Sequence, residues 1–404
     1  MTQGVGGSTP DAELARLAEL EGSSGAQPLP LAEFERRLAQ GRALMGQHDL
    51  QAIYLCAGSN LLYFTGTKWS LTERLVGAII FPDGPVEYVL PAFEEGTFSA
   101  FMKVPGKLNL WQEHESPFEL VHQVLESRGV AGGTVGIDEA TPFHHFGEIS
   151  ALGDSLRFLD ARPVTAGCRM QKSPAELALI QQAMNITLDV HKSAARILRP
   201  GIETTEVVDF IDTAHRTMGT AGSTFCAVQF GEATAYPHGV PDPQVLANGD
   251  MVLIDTGCRV QHYHSDITRS YVFGNPSQRQ REVWMAEQQA QARAFAAAQP
   301  GTRCGDVDRA ARSYLESLGY GPDYAVPGLP HRTGHGLGLD IHEWPYLVRS
   351  DDTLLAEGMC FSNEPMLCLY GEFGVRLEDH FYITAEGPRW FTSPSPSLEN
   401  PFGY

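Results

Sequence analysis

Apolar side chains gather in four short runs between residues 51 and 138: QAIYLC, LVGAIIFP, VEYVLP and TVGID. Each run is rich in branched or aromatic residues and has the length of a strand. Around them, LAEFERRLAQGRALMGQH and SPFELVHQVLESRG space their apolar residues three and four apart, the period of a helix with one buried face. This alternation predicts a small N-terminal α/β domain over residues 30–165. It contains no glycine-rich phosphate loop, so no nucleotide site is expected there. Residues 1–29 are rich in Gly, Ser, Pro and Ala, with one short amphipathic patch at Leu14, Leu17 and Leu20, and are expected to form a flexible arm. A helix start follows RFLDARPVTAG: Ser173 and Glu176 form a capping box around Pro174 at the first helical position. A second domain is therefore expected over residues 166–404.

The hydrophobic pattern of that second domain occurs twice. RPGIETTEVVDF at 199–210 is echoed by QPGTRCGDVDRA at 299–310, and LANGDMVLID at 246–255 aligns without a gap on LAEGMCFSNE at 355–364. Asp255 then lies opposite Glu364. Pro-His also recurs, at Pro237-His238 and Pro330-His331. Three echoes in one order indicate a duplication, with each half reading helix, helix, strands. Two such halves about a pseudo-two-fold axis would turn their strands, and the acids on them, toward one cleft.

Charge and cysteine usage narrow the function classes. Against 49 acidic residues the chain has 29 Lys and Arg, a formal net charge of −20. Such a surface repels phosphate backbones and anionic lipid, so neither nucleic acid nor a membrane is an expected partner. No apolar run approaches the roughly 18 residues of a membrane span, and MTQGVGGSTPDAE has neither a basic nor an apolar segment of a secretory signal. Seven scattered cysteines with no C-x-x-C read as buried thiols in a reducing cytoplasm.

The candidate chemistry lies in the duplicated region. Asp255 ends the buried-strand pattern MVLI, where an unpaired carboxylate is costly. Asp266 follows in YHSDITRSYVF. HRTGHGLGLDIHE holds His331, His335 and His342 with Gly334, Gly336 and Gly338 between them, a pattern in which the backbone could approach a ligand closely. Glu364 in FSNEP and Glu378 in GVRLED each close a strand-like run. Four carboxylates drawn together would repel or protonate. Two divalent ions would neutralise them and could hold a hydroxide between them. The oxygen-rich donor set suits Mn2+ best, with Co2+ or Zn2+ also compatible.

The ordered set Asp255, Asp266, His335, Glu364, Glu378 resembles the metallopeptidases of the pita-bread fold, which include methionine aminopeptidase, aminopeptidase P and Xaa-Pro dipeptidase (prolidase). The resemblance implies a C-terminal pita-bread domain behind the α/β domain, which would serve dimerisation and wall the cleft of a homodimer. It implies that Asp255 chelates one ion, that Asp266 and Glu378 bridge both, and that His335 and Glu364 hold the second. Glu364 would also shuttle a proton from the bridging hydroxide's parent water to the leaving nitrogen. His238 and His342 resemble histidines that hold the scissile carbonyl, His331 one that lines the proline side, and Arg376 an arginine that orients the site or the substrate. The family's E-P-G-hydrophobic-Y reads Glu364-Pro365-Met366-Leu367-Cys368 here, with Tyr370 nearby. Trp69 in TGTKWSLTER is a candidate to approach the other subunit's site. The implied function is cleavage before proline in Xaa-Pro dipeptides. The alternatives are an aminopeptidase P acting on longer Xaa-Pro peptides and a catalytically inactive binding module, which would be expected to have lost ligands that are all present here.

Overall fold

The computed structural model describes residues 2–153 and 155–404, which form two compact units. One spans Pro28–Arg169; the other combines the segment ending at Gln27 with Met170–Tyr404.

In the first unit the strand Ala52–Cys56 lies near the middle of a six-stranded sheet. It pairs antiparallel with Gly77–Ile80 and parallel with Thr134–Ile137. All five of its residues are buried, as expected of a strand covered on both faces. Tyr54, Ile79, Val89, Val124 and Val135 belong to the core on the sheet. Two strands had no sequence signal: Gly106–Trp111 and Arg157–Asp160. They are the two edge strands, only partly buried, and so they lack an apolar run. Trp69 packs near Phe98 and Phe101, with ring centroids 5.5 and 6.4 Å away.

The expectation of a flexible arm at residues 1–29 is corrected. Pro10–Ala18 is a helix capped by Thr9, whose hydroxyl accepts from the Ala12 N–H. Leu17 is fully buried, and a Glu13 oxygen accepts from Arg16 Nε and Ser193 Oγ at 3.0 Å. Thr2 Oγ1 donates to the Val272 carbonyl at 2.7 Å. The segment is held by partners some 180 to 270 positions away, which no local pattern reports.

The larger unit is built from two matching halves. The helices Pro174–Arg196 and Gln278–Ala297 each begin at a serine capping box, Ser173 and Ser277. A shorter helix follows each, Thr204–Thr217 and Cys304–Ser317. The turns between them match closely: Gly201 and Gly301 both have φ of +82°. The Gly201 N–H donates to Leu246 O at 2.9 Å, and the Gly301 N–H donates to Leu355 O at 2.8 Å. The strands Met251–Gly257 and Cys360–Asn363 then occupy equivalent places, each inside its own sheet. In the first sheet Met251–Gly257 lies between Phe225–Phe230 and Ile267–Val272. In the second, Cys360–Asn363 lies between Gly334–Gly336 and Asp379–Thr384. A bridge between Thr268 and Glu378 joins the halves.

Candidate metal centre

Each half delivers acids to that junction. Asp255 sits on the Met251–Gly257 strand, opposite Thr268 on one side and Ala227 on the other. The chain then doubles back so tightly that a Cβ on Gly257 would lie 1.9 Å from the Ser265 carbonyl oxygen, so glycine is required there. This crossing brings Asp266 beside Asp255. From the other half, Glu378 is anchored twice to Thr268: its N–H donates to the Thr268 carbonyl at 3.1 Å, and its Oε2 accepts from Thr268 Oγ1 at 2.7 Å.

His335 occupies the short strand Gly334–Gly336. Its N–H donates to Ser362 Oγ at 2.8 Å, and the same hydroxyl lies 3.0 Å from Glu364 Oε1. One serine therefore sets both groups. The Nδ1 of His335 is 3.0 Å from the Gly336 carbonyl, which turns Nε2 toward the acids, 3.1 Å from Glu364 Oε1 and 3.7 Å from Asp266 Oδ2. The flanking glycines serve the sheet and not a ligand's approach: a Cβ on Gly334 would lie 2.1 Å from the Ser362 carbonyl oxygen, and one on Gly336 2.4 Å from that of Glu343.

Asp266, Glu378 and His335 are buried, while Asp255 and Glu364 are partly open to a cavity of about 610 Å3. One oxygen each of Asp255, Asp266 and Glu378 is buried with no hydrogen-bond partner. Burial and the charges of Glu378 and Asp255 push Asp266 well above the usual carboxylate range. Glu378 is pushed well above it by burial and by Glu364 and Asp255. Burial also raises Asp255, against the pull of Arg376. Glu364 goes the other way: burial would raise it, but His335 and His331 hold it well below its ordinary value. Carboxylates this close cannot all be ionised without cations among them, and the orphaned oxygens are the donors that cations would take. The donor set fits divalent metal.

The remaining predicted residues surround this floor. His238, His331, His342 and Arg376 all line the cavity, together with Arg259 and Arg332. His342, exposed at the cavity mouth, packs edge-on against His335 with centroids 4.1 Å apart; partial desolvation, then the charge of His335, lowers its pKa to about 4. Burial lowers His331 as well. Arg376 is committed to the protein: Nη2 donates to Asp255 Oδ2 at 2.6 Å, Nε to Thr268 Oγ1 at 3.0 Å and Nη1 to the Pro237 carbonyl at 3.0 Å. Cys368 is wholly buried and its thiol is pushed up to about 12, by burial first. Such a thiol is no nucleophile at neutral pH. Tyr370 is exposed and stacks on Tyr236 at 5.0 Å.

One residue of the cluster escaped sequence reasoning. His380 brings a ring nitrogen into a group with Asp266, His335 and Glu378 whose donor atoms all lie within 4.8 Å of one another. The signal was present: in VRLEDH the two-residue period of a strand puts Arg376, Glu378 and His380 on one face.

The chain is similar to known proteins over most of its length. The model of metallopeptidase family M24 matches residues 178–385, and that of the creatinase/prolidase N-terminal domain matches residues 37–171. A putative dipeptidase, YkvY, of Bacillus subtilis (strain 168) is 31% identical over 338 residues, 83% of this chain and 92% of the relative. The Xaa-Pro dipeptidase of Pyrococcus furiosus is 29% identical over 366 residues, 90% of this chain and 99% of that one. Among solved structures, the dipeptidase PepE from Mycobacterium ulcerans superposes with a TM-score of 0.85 at 30% identity, covering 92% of this chain and 99% of its own. The recombinant prolidase from Thermococcus sibiricus gives 0.81 at 28% identity, covering 89% and 97%.

Proposed function

Since this chain belongs to metallopeptidase family M24, we propose that it is a metal-dependent Xaa-Pro dipeptidase that hydrolyses the bond between the first residue and proline. The observation that carries this reading is the convergence of four carboxylates and His335, three of those carboxylates with an unpartnered buried oxygen, on the floor of a cavity walled by histidines and arginines. Asp255, Asp266 and Glu378 would hold one ion, and Asp266, His335, Glu364 and Glu378 the other. When bound, two divalent ions would polarise the scissile carbonyl and acidify the attacking water. On their own, oxygen donors favour manganese, with cobalt or zinc compatible.

The chain's own residues supply the rest. Glu364 takes the proton of the attacking water and delivers it to the proline nitrogen as the C–N bond breaks. That transfer is required because the proline nitrogen cannot depart as an anion; once protonated it leaves as a secondary amine. His238 and His342 donate N–H groups to the carbonyl oxygen as charge develops on it; a neutral imidazole such as His342 donates without adding a cation to the site. His331 lines the proline side. Arg376 holds Asp255 and keeps the two halves in register through Thr268 and Pro237. A dipeptidase also needs a cation for the proline carboxylate, and Arg259 and Arg332, which line the same cavity, are the candidates for it.

The discriminating experiment compares kcat/KM on Ala-Pro and Ala-Pro-Ala after reconstitution with manganese. The dipeptide should be preferred by tenfold or more, about 1.4 kcal/mol of transition-state discrimination. Preference for the tripeptide and longer peptides would make the chain an aminopeptidase P. A homodimer belongs to the same reading, and light scattering on the same preparation should give the mass of two chains. So does a cytoplasmic setting, supported by seven unpaired thiols. Among the described residues no helix is long and apolar enough to cross a membrane.

A further inference from the structure

We propose that His380 supplies a second imidazole to the metal centre, at the ion held by His335, and thereby makes that position selective for cobalt or zinc over manganese. The inference rests on the metallopeptidase reading and adds a donor to it. Glu378 and His380 lie on one face of the chain, and Asp379 between them faces the opposite way. There Asp379 accepts from Arg269 Nη2 at 2.6 Å and from Thr392 Oγ1 at 2.9 Å. His380 is fully buried, and neither ring nitrogen has a hydrogen-bond partner. A buried imidazole with both nitrogens unsatisfied is costly, and a residue there only to fill space would be apolar.

The surroundings say what satisfies it. A nitrogen of His380, one of His335 and one oxygen each of Asp266 and Glu378 lie within 4.8 Å of one another. The His335 and His380 rings meet edge-on, with centroids 5.8 Å apart at 66°, so neither covers the other's nitrogens by stacking. In the sheet, His380 pairs directly with Ser362, whose hydroxyl positions both His335 and Glu364. The Asp266 backbone also faces the ring, from outside hydrogen-bonding geometry. It would take the second ring N–H once the first nitrogen binds, the usual arrangement of a ligating histidine.

With His380 the second ion position has two imidazoles, whereas Asp255, Asp266 and Glu378 form an all-oxygen position. Imidazole donors favour cobalt and zinc; carboxylates alone suit manganese. The two positions are therefore unlike, and the chain should accept two different metals.

The test is calorimetric titration of metal-free full-length wild type, His380→Thr and His380→Asn with cobalt(II) and, separately, manganese(II), with the visible spectrum of bound cobalt recorded alongside. Circular dichroism selects a variant with the wild-type fold; the asparagine, smaller than histidine but still an N–H donor, serves should the threonine fail to fold. The expected result is a loss of about tenfold or more in cobalt affinity at one of two binding steps, a shifted cobalt spectrum, and manganese affinity changed by less than about threefold. Equal weakening of both ions, or no change in the spectrum, overturns the assignment. A wild-type chain that binds neither ion defeats the metallopeptidase reading itself, a result visible before any variant is made.

Discussion

Asp266→Ala should leave a folded chain that has lost one of its two ions and at least about a thousandfold of its activity on Ala-Pro. Asp266 lies at the centre of the cluster, with Glu378, Asp255 and Glu364 all raising its pKa and His335 Nε2 3.7 Å away. It is one of the two carboxylates assigned to both ions, so its removal weakens each. Loss of a single group that stabilises developing charge already costs about 100- to 1,000-fold, and loss of a donor shared by two ions removes more than one such interaction. The fold should survive, because the substitution also takes away one of several mutually repelling buried carboxylates. The check is kcat/KM on the dipeptide together with metal content by mass spectrometry and a thermal melt. Full activity with two ions bound would contradict the bridging assignment.

Arg269→Met should cost about 3–5 kcal/mol of stability, because it strands a buried charge. Arg269 is 1% exposed; its Nη2 donates to Asp379 Oδ1 at 2.6 Å, and its Nη1 donates to the Glu378 carbonyl at 2.8 Å. Asp379 is fully buried, and burial already raises its pKa against the opposing charge of Arg269. Without the guanidinium its pKa rises further above that of the unfolded chain. A raised carboxyl pKa is a contribution present at low pH and lost as pH rises. The variant's deficit should therefore be larger at pH 8 than at pH 5. Chemical denaturation at the two pH values measures it, and Arg269→Met with Asp379→Asn should recover much of the loss because no charge is then left unpaired. A single-variant deficit below about 1 kcal/mol, independent of pH, would show that the pair is not what holds the strand entering at Glu378.

Much of this architecture was legible because it repeats. The LANGD and LAEGM segments precede equivalent strands since both close the same turn, with Gly249 at φ +92° and Gly358 at φ +84°. A glycine with positive φ is hard to replace, so the echo persists where other positions have diverged. The ligand candidates stood out for a related reason: few residue types can hold a hard cation, so Asp255, Asp266, His335, Glu364 and Glu378 announce themselves by type and order. Residues that act through distant partners did not. The helix Pro10–Ala18 could be read as amphipathic, but its burial depends on Ser193 and Arg196. Arg269 and Asp379 look like two unrelated charges on separate strands until the Thr268–Glu378 bridge between the two sheets places them together. His380 was missed because the candidates were matched to a five-residue pattern, when the strand period alone carries its side chain to the same face as Glu378.

Everything proposed for this site depends on acids from two halves of the duplicated domain, with His335, enclosing a pair of cations. Anomalous diffraction from crystals of the chain grown with cobalt(II) measures this most directly. Two peaks are expected, both in contact with Asp266 and Glu378, one also touching Asp255 and the other His335 and Glu364. Peaks located elsewhere, or carboxylates that remain without metal at saturating cobalt, would contradict it.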